Sequence, residues 1–517
     1  MMAGGKMSNP LIKEMIKYTK YNELLEDIKL KKNNLSIIGV TDAAVPHLIY
    51  SLYNYSGILP LVVCPNASMA KKIIQDFKYY SNIDIVYFPA REITYYTYDT
   101  QSREIENARV HVINKLINKD DCIIVTTVEA LMQKMLPKEN YTGLNVVLTQ
   151  GKTESLEHII DICSKMGYSR VELVEGPGQF SVRGGIIDVF SCDLPDPVRI
   201  EFFGEQIDSI RTFDVETQRS KAVLDNFELS FSTEFILPQK DISRCIDELE
   251  NLISTKNLNS SLSDNINSDI ERIKQGEVSS VINKYFDILV PNSSTLIDFL
   301  GDRYNVYFNE ITRIISRSEA IEFENEETLR LMTEKSEIYP QIAFKYYSFN
   351  EIEQRYTSLP LIYMERINQG RVLHAKRKEY SFSCREVNFF RGAVDIFKSD
   401  IKRYVEEGKS VVLIFPTLAR VESIKNLLLD SDIKVKYIQD ITMIDELEKS
   451  RVYITTGIIS SGFSYDDFNF IVISEPVSGT KQKQRSSKDF LGSALNSYED
   501  LNVGDYVVHV DHGIGKY

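Results

Sequence analysis

"GQFSVRGGIIDVFSCDLPDPVRIEFFGEQIDSIRTFD", residues 178–214, breaks the rhythm of the chain around it. Short alternating strands separated by glycine and proline turns fill this stretch. The proline-fixed turn "DLPDP" joins a strand through Phe190 to one starting near Val198. In "VRIEFF", alternation places Val198, Ile200 and Phe202 on one face and Arg199, Glu201 and Phe203 on the other. The first set is an ordinary core face. The second brings a guanidinium, a carboxylate and an aromatic ring together on a face expected to be solvated, and Arg183, one strand earlier, can join it. Arginine beside an exposed aromatic is the composition of a protein–protein hot spot. A cross-strand ion pair with an incidental phenylalanine fits the same residues equally well. On either reading Arg199 lies outside the core, so its removal is expected to leave stability almost unchanged.

On both sides of this stretch the grammar is different. Apolar runs at Leu35–Val40, Leu61–Cys64, Ile85–Phe88 and Cys122–Val125 are each followed by a helical pattern, which argues for a parallel α/β sheet. Thr126 or Thr127 is placed to cap the last of these helices. From about 145 to 226 a compact α+β insert interrupts, with one amphipathic helix carrying Leu156, Ile159, Ile160, Cys163 and Met166 and ending near Gly167. Residues 227–365 read as mostly helical, with "NLNSSLSDNINSD" as a polar hinge and "STLIDFLGD" as a strand returning to the first sheet. The βα grammar resumes over 380–480 with "SVVLIF", a helix from Arg420 to Leu429, "VKYI", "VYITTG" and "FIVISE". A basic linker covers 481–495, and "DYVVHVDHGIGKY" opens a new all-β pattern within 496–517. The first six residues read as a cloning remnant, with Met7 the expected native start.

Composition bounds the function classes. The chain has 517 residues, a formal charge of −14 and 43% hydrophobic residues. This acidity disfavours wrapping nucleic acid by counterion release alone. No apolar run reaches the roughly 18 residues a membrane helix needs. Six scattered cysteines with no C-x-x-C spacing argue for reduced thiols, a cytoplasmic setting and no structural zinc.

"SIIGVTDAAVPHLIY", Ser36 to Tyr50, starts like a phosphate-binding loop. Backbone amides, a lysine and a hydroxyl are required there, yet Ala44, Val45 and Pro46 stand at the second glycine, the lysine and the hydroxyl. Pro46 suits a helix's first turn, and Thr41 or Asp42 can serve near the cap. "GKTE" at Gly151 lacks its upstream glycine, and Thr153 is better read as a helix cap. Asp298 in "LIDF" lacks the second carboxylate of an ATPase strand end. "HVDH" at His509 to His512 places only His509 and Asp511 on one strand face, which is poor geometry for a metal. His47, His111, His158 and His374 have no evident partners in sequence, and "YYTYDT", 95–100, reads as a packed tyrosine edge. These residues predict no catalytic, metal or nucleotide site in this chain.

The segments "GQFSVRGGIIDVF", "VRIEFFGEQIDSIRTFD" and "QRS" resemble the second domain of the bacterial transcription-repair coupling factors, the Mfd family, itself related to a domain of the damage-verifying protein UvrB. "GVTDAAV" sits where UvrB carries its intact P-loop, "FIVISEPVSGTKQKQR" is similar to the end of the family's third domain, and "VGDYVVHVDHGIGKY" looks like the start of its polymerase-interacting domain. The resemblance implies a multidomain α/β protein. In it, a degenerate helicase-like first domain without ATPase activity (7–144 and 227–365) is interrupted by an inserted UvrA-binding domain (145–226). A small α/β domain (380–480) follows. It further implies UvrA contacts at Arg183, Arg199, Glu201 and Phe203. RNA polymerase, DNA, ATP and magnesium are implied as partners and cofactors of the parent protein, through parts largely absent here. A residual nucleic-acid-binding helicase fragment is the competing reading.

Overall fold

The computed structural model describes residues 9–95, 103–256, 258–356, 359–367, 377–387, 389 and 394–475, with the backbone of two strands, Tyr506–His509 and Gly513–Lys516. Seven parallel strands build the first sheet. Across it they run Lys378–Ser381, Leu35–Ile38, Leu361–Glu365, Tyr304–Asn309, Leu59–Cys64, Cys122–Thr127 and Asp84–Phe88. Tyr304–Asn309 and Leu361–Glu365, both central, are contributed after the insert. The sheet therefore closes only when both halves of the first domain are present. Its edge strand Lys378–Ser381 overlaps the start of the 380–480 unit expected from sequence.

Two sequence expectations give way here. "STLIDFLGD" is not a strand but two 3-10 turns, Leu296–Phe299 and Gly301–Arg303. Thr295 and Asp298 form a reciprocal cap, with Asp298 Oδ2 accepting from Thr295 N at 2.7 Å, and the strand starts only at Tyr304. Nor is the polar stretch a hinge. Asn259 Oδ1 accepts from Leu262 N at 2.8 Å and opens the helix Ser260–Lys274, which buries Leu262, Ile266, Ile270 and Ile273. Side-chain caps of this kind favour helix starts, while the same residues in a run read as loop.

The insert leaves and returns on a two-stranded stem, Val146–Thr149 antiparallel to Asn226–Leu229. Beyond it lies a six-stranded sheet: Ser220–Val223, Gln206–Phe213, Val198–Phe203, Ile186–Phe190, Gln179–Arg183 and Ser169–Arg170. Ser155, rather than Thr153, caps the helix Leu156–Lys165, its Oγ accepting from His158 N at 3.3 Å. Ile159 and Cys163 of that helix share one apolar cluster with Val198, Ile200, Ile207 and Ile210. Helix Arg103–Asn118 of the first domain holds the insert in place. Arg103 donates to Gly178 O (3.0 Å) and Ser169 Oγ (2.7 Å), and Asn114 donates to Asp193 (2.8 Å).

The third unit is a six-stranded sheet in the order Cys384–Val387, Gly462–Tyr465, Phe470–Ser474, Ser410–Phe415, Val452–Thr456 and Val435–Tyr437. One face, with Val411, Leu413 and Phe415, is covered by helices Val394–Glu406 and Leu418–Leu429. The opposite face carries Val412, Ile414, Tyr453, Phe463, Tyr465 and Val472. These fall in one continuous core with Val40, Ala44, Leu48, Ile73 and Phe77 of the first domain. A largely parallel sheet needs both faces covered, and here the first domain supplies the second cover. Gly457 fits because any Cβ would collide with the Tyr79 ring.

Asp76 sits in this seam, accepting from Ser460 N and Ser460 Oγ, each at 2.6 Å. Burial pushes its carboxyl up to about 7, outweighing those two hydrogen bonds and Lys72. The native state thus keeps a proton that the unfolded chain has released. The group's contribution is full below about pH 4, is lost as pH rises to about 7, and is flat above. Asp76→Asn is expected to flatten this slope, so that urea midpoints measured at about pH 4.5 and 7.5 differ less than in the parent chain.

Candidate functional sites: the residual loop and the outer face of the insert

The loop after Leu35–Ile38 is consumed by packing. Gly39 adopts φ +83°, and a Cβ there would collide with the Phe382 carbonyl. Its N–H donates to Glu365 O (2.9 Å), and its carbonyl accepts from Cys384 N (3.1 Å). Ala44 N and Val45 N both donate to Thr41 O, at 2.8 and 3.1 Å. Thr41 is buried with its hydroxyl 3.3 Å from Cys384 Sγ. Neither Thr41 nor Asp42 caps the helix Val45–Ser56, whose N-cap is Ala44 without a side-chain bond. From Val40 to Leu48 only Asp42 is exposed. His47 is fully buried, donating from Nε2 to Leu11 O (3.2 Å) and lying 3.4 Å from the Tyr465 hydroxyl. Burial pushes its imidazole down to about 4, so it packs there neutral. Phe382, Cys384 and Tyr465 thus crowd the loop whose amides would cradle phosphate.

The other residues singled out in sequence sort as follows. Tyr95 is buried, its hydroxyl donating to Phe344 O (3.0 Å) and Asn325 Oδ1 (3.1 Å), while 96–100 and His374 lie outside the described residues. His158 is exposed on its helix, and His111 does have a partner, Asp193, at 3.0 Å. Of "HVDH", only the backbone of His509 is described. No group of three or more His, Cys, Asp or Glu able to hold a metal occurs among the described residues.

On the insert, register builds two adjacent rows across the outer face. Arg183, Ile186, Glu201 and Ser209 are cross-strand neighbours, as are Ser181, Asp188, Arg199 and Arg211. Phe203 stands at the strand end beside the Gly204 turn (φ +65°) and is 82% exposed. Arg183 is exposed and donates from Nε and Nη2 to Glu172 O, at 3.3 and 3.0 Å. Glu201 accepts from Ser209 Oγ (3.1 Å) and pairs with Arg211.

Arg199 corrects the expectation of a free, solvated side chain. It forms a two-pronged ion pair with Asp188 (2.7 and 2.8 Å), donates to Gln218 Oε1 (3.0 Å), and lies 4.4 Å from the Phe213 ring centre. The Asp188 side chain is only 3% exposed. Arg199 is therefore the counter-charge of a buried carboxylate as well as a surface group. The sequence signal was present in "IIDVF", an acid amid apolar residues one strand away, because a buried carboxylate requires a partner.

Residues 146–235, which include this face, match the family described as the UvrB interaction domain. The particular relatives are transcription-repair-coupling factors. That of Staphylococcus aureus (strain MRSA252) is 26% identical over 519 residues, covering 98% of this chain and 44% of its own length. That of Bacillus subtilis (strain 168) is 27% identical over 497 residues, covering 93% of this chain and 41% of its own. The chain thus spans less than half the length of the curated relatives it matches. The resemblance carried by residues 178–220 is the one these comparisons return. Among solved structures, S. tokodaii Xpd4 aligns over 84% of this chain and 80% of its own at 11% identity with a TM-score of 0.22, too low to support any argument.

Two outcomes are expected. Calorimetric titration with Mg-ATP should give no saturable heat at millimolar nucleotide; micromolar binding would show that the loop is open in solution. Arg199→Ala strands a buried carboxylate, so urea unfolding should show a loss on the order of 2 kcal/mol or more, whereas Phe203→Ala should stay within about 0.5 kcal/mol.

Proposed function

We propose that this chain is the part of a transcription-repair coupling factor that recruits UvrA, through the outer face of its insert, to RNA polymerase stalled at DNA damage. The observation that carries the reading is Phe203, a large aromatic almost wholly in solvent. It shares the outer face with Arg183 and the Glu201–Arg211 pair, on the domain matched to the UvrB interaction family. An exposed ring flanked by arginine and hydrogen-bonding groups has the make-up of a binding hot spot. Arg183 and Phe203 make the contact. Arg199 and Glu201 hold the face flat, and Arg199 presents its remaining donors from a fixed position.

In this reading the first domain is a helicase-like scaffold with no ATPase of its own and no bound cofactor. ATP and magnesium serve motor domains elsewhere in the parent protein, which also carry most contacts to DNA and polymerase. No helix among the described residues is long and apolar enough to cross a membrane, and the work we assign belongs in the cytoplasm. A residual nucleic-acid-binding helicase fragment is the weaker alternative, given the net charge of −14.

The test is binding of purified UvrA to the immobilised chain, by interferometry. Phe203→Ala and Arg183→Ala should each weaken binding, the first by about thirtyfold, or roughly 2 kcal/mol, at unchanged melting temperature. Lys425→Ala, in the third unit, should bind like the parent. Parental affinity in both insert variants would place the UvrA contact elsewhere.

A further inference from the structure

At the joint between insert and first domain, a crevice of about 320 Å³ opens between helix Arg103–Asn118 and the returning stem. Leu194, Leu224 and Phe227 form its apolar wall. The polar wall brings the carboxylates Asp120, Asp193 and Glu228 together beside the amides of Asn114, Asn118 and Asn226. Asp193, on the insert, accepts from Asn114 Nδ2 (2.8 Å) and Ser230 Oγ (2.5 Å) and lies 3.0 Å from His111 Nδ1. Asp120 and Glu228, both exposed, line the same crevice. Its lysine, Lys115, is committed to Asp84 at 2.8 Å.

Asn114 decides what the crevice lacks. The residue is 1% exposed, yet its Oδ1 has no hydrogen-bond partner. Its amide orientation is fixed, because Nδ2 faces two acceptors, Asp193 Oδ2 and Phe231 O (3.3 Å). A flipped amide would set oxygen against oxygen. A buried carbonyl oxygen without a donor is costly, and native structures rarely leave one so.

We propose that this crevice is a binding site for an organic cation carrying N–H donors, an alkylammonium or alkylguanidinium group. Its donors satisfy Asn114 Oδ1, its charge meets Asp120, Asp193 and Glu228, and its hydrocarbon rests on Leu194, Leu224 and Phe227. A bare metal ion fits less well, since no metal-holding cluster occurs among the described residues. Asn114 and Asp120 belong to the first domain, Asp193 to the insert and Glu228 to its return strand. One bound cation therefore bridges the joint and ties down the insert's angle. This assignment is independent of the UvrA reading.

The experiment titrates the full chain, labelled with 13C-histidine, with putrescine and separately with N-acetyl-arginine amide. A saturable shift of the His111 resonance is expected with at least one probe. Putrescine alone points to a free amine, and the arginine derivative alone to a side chain presented by another protein. Glu228→Gln and Asp120→Asn should each weaken the affinity at least about fivefold at unchanged melting temperature. The proposal is overturned by the absence of a saturable shift up to about 10 mM with either probe, by parental affinity in both variants, or by sodium acetate producing the same shift. A crystal structure with an undisplaced water on Asn114 Oδ1 in the presence of whichever probe shifts His111 would overturn it too.

Discussion

The ion pair between Arg109 and Glu234 holds together a domain that the chain builds in two instalments. Arg109 lies on the helix before the insert, and Glu234 just after the stem returns. Both side chains are out of solvent, at 0% and 1% exposure. Arg109 donates from Nε and Nη2 to the two carboxylate oxygens (2.7 and 2.5 Å) and from Nη1 to Pro89 O (2.8 Å) and Gln133 Oε1 (3.1 Å), with the Phe88 ring beneath. Burial alone would raise the Glu234 carboxyl; Arg109 and Arg91 hold it below its ordinary value. Such a pair adds little net stability over an apolar substitute, but removing one partner is severe. Its value here is positional. It fixes where the chain re-enters, and hence where Tyr304–Asn309 can join the sheet.

That constraint organises the rest. The stem Val146–Thr149 and Asn226–Leu229 emerges next to the helix that carries Arg109. Arg103, Asn107, His111 and Asn114 on that helix then meet the insert turn by turn. The outer face with Phe203 is thus presented on a braced support rather than on a free tether.

Much of this was legible in the chain. Each strand of the first sheet before the insert announced itself as an apolar run, and Leu59–Cys64 and Cys122–Thr127, buried at every residue, carry no alternation to disguise it. Ala44, Val45 and Pro46 announced an apolar helix start after the first strand, and the structure packs Phe382, Cys384 and Tyr465 against that loop. The illegible parts depended on distant partners. Asp188 amid apolar residues called for a partner, but nothing local names Arg199 as that partner, or marks Thr295 with Asp298 as a cap that delays a strand. Asn and Ser between 259 and 268 look like loop until the buried face of their helix is known. Strand patterns over 410–474 showed a second α/β unit. They did not show that one of its faces is covered by the first domain, since an apolar face reads the same whichever element covers it.

That shared seam matters during synthesis. The first domain's edge strand ends at Ser381, but Phe463, Tyr465 and Val472, which share a core with its Val40, Ala44 and Leu48, come later in the chain. At about 5–20 residues per second, the ribosome leaves that apolar surface open for roughly 5–20 seconds. Over this interval the nascent chain carries an unfinished hydrophobic seam, and the third unit, on emerging, finds its partner already folded beside it.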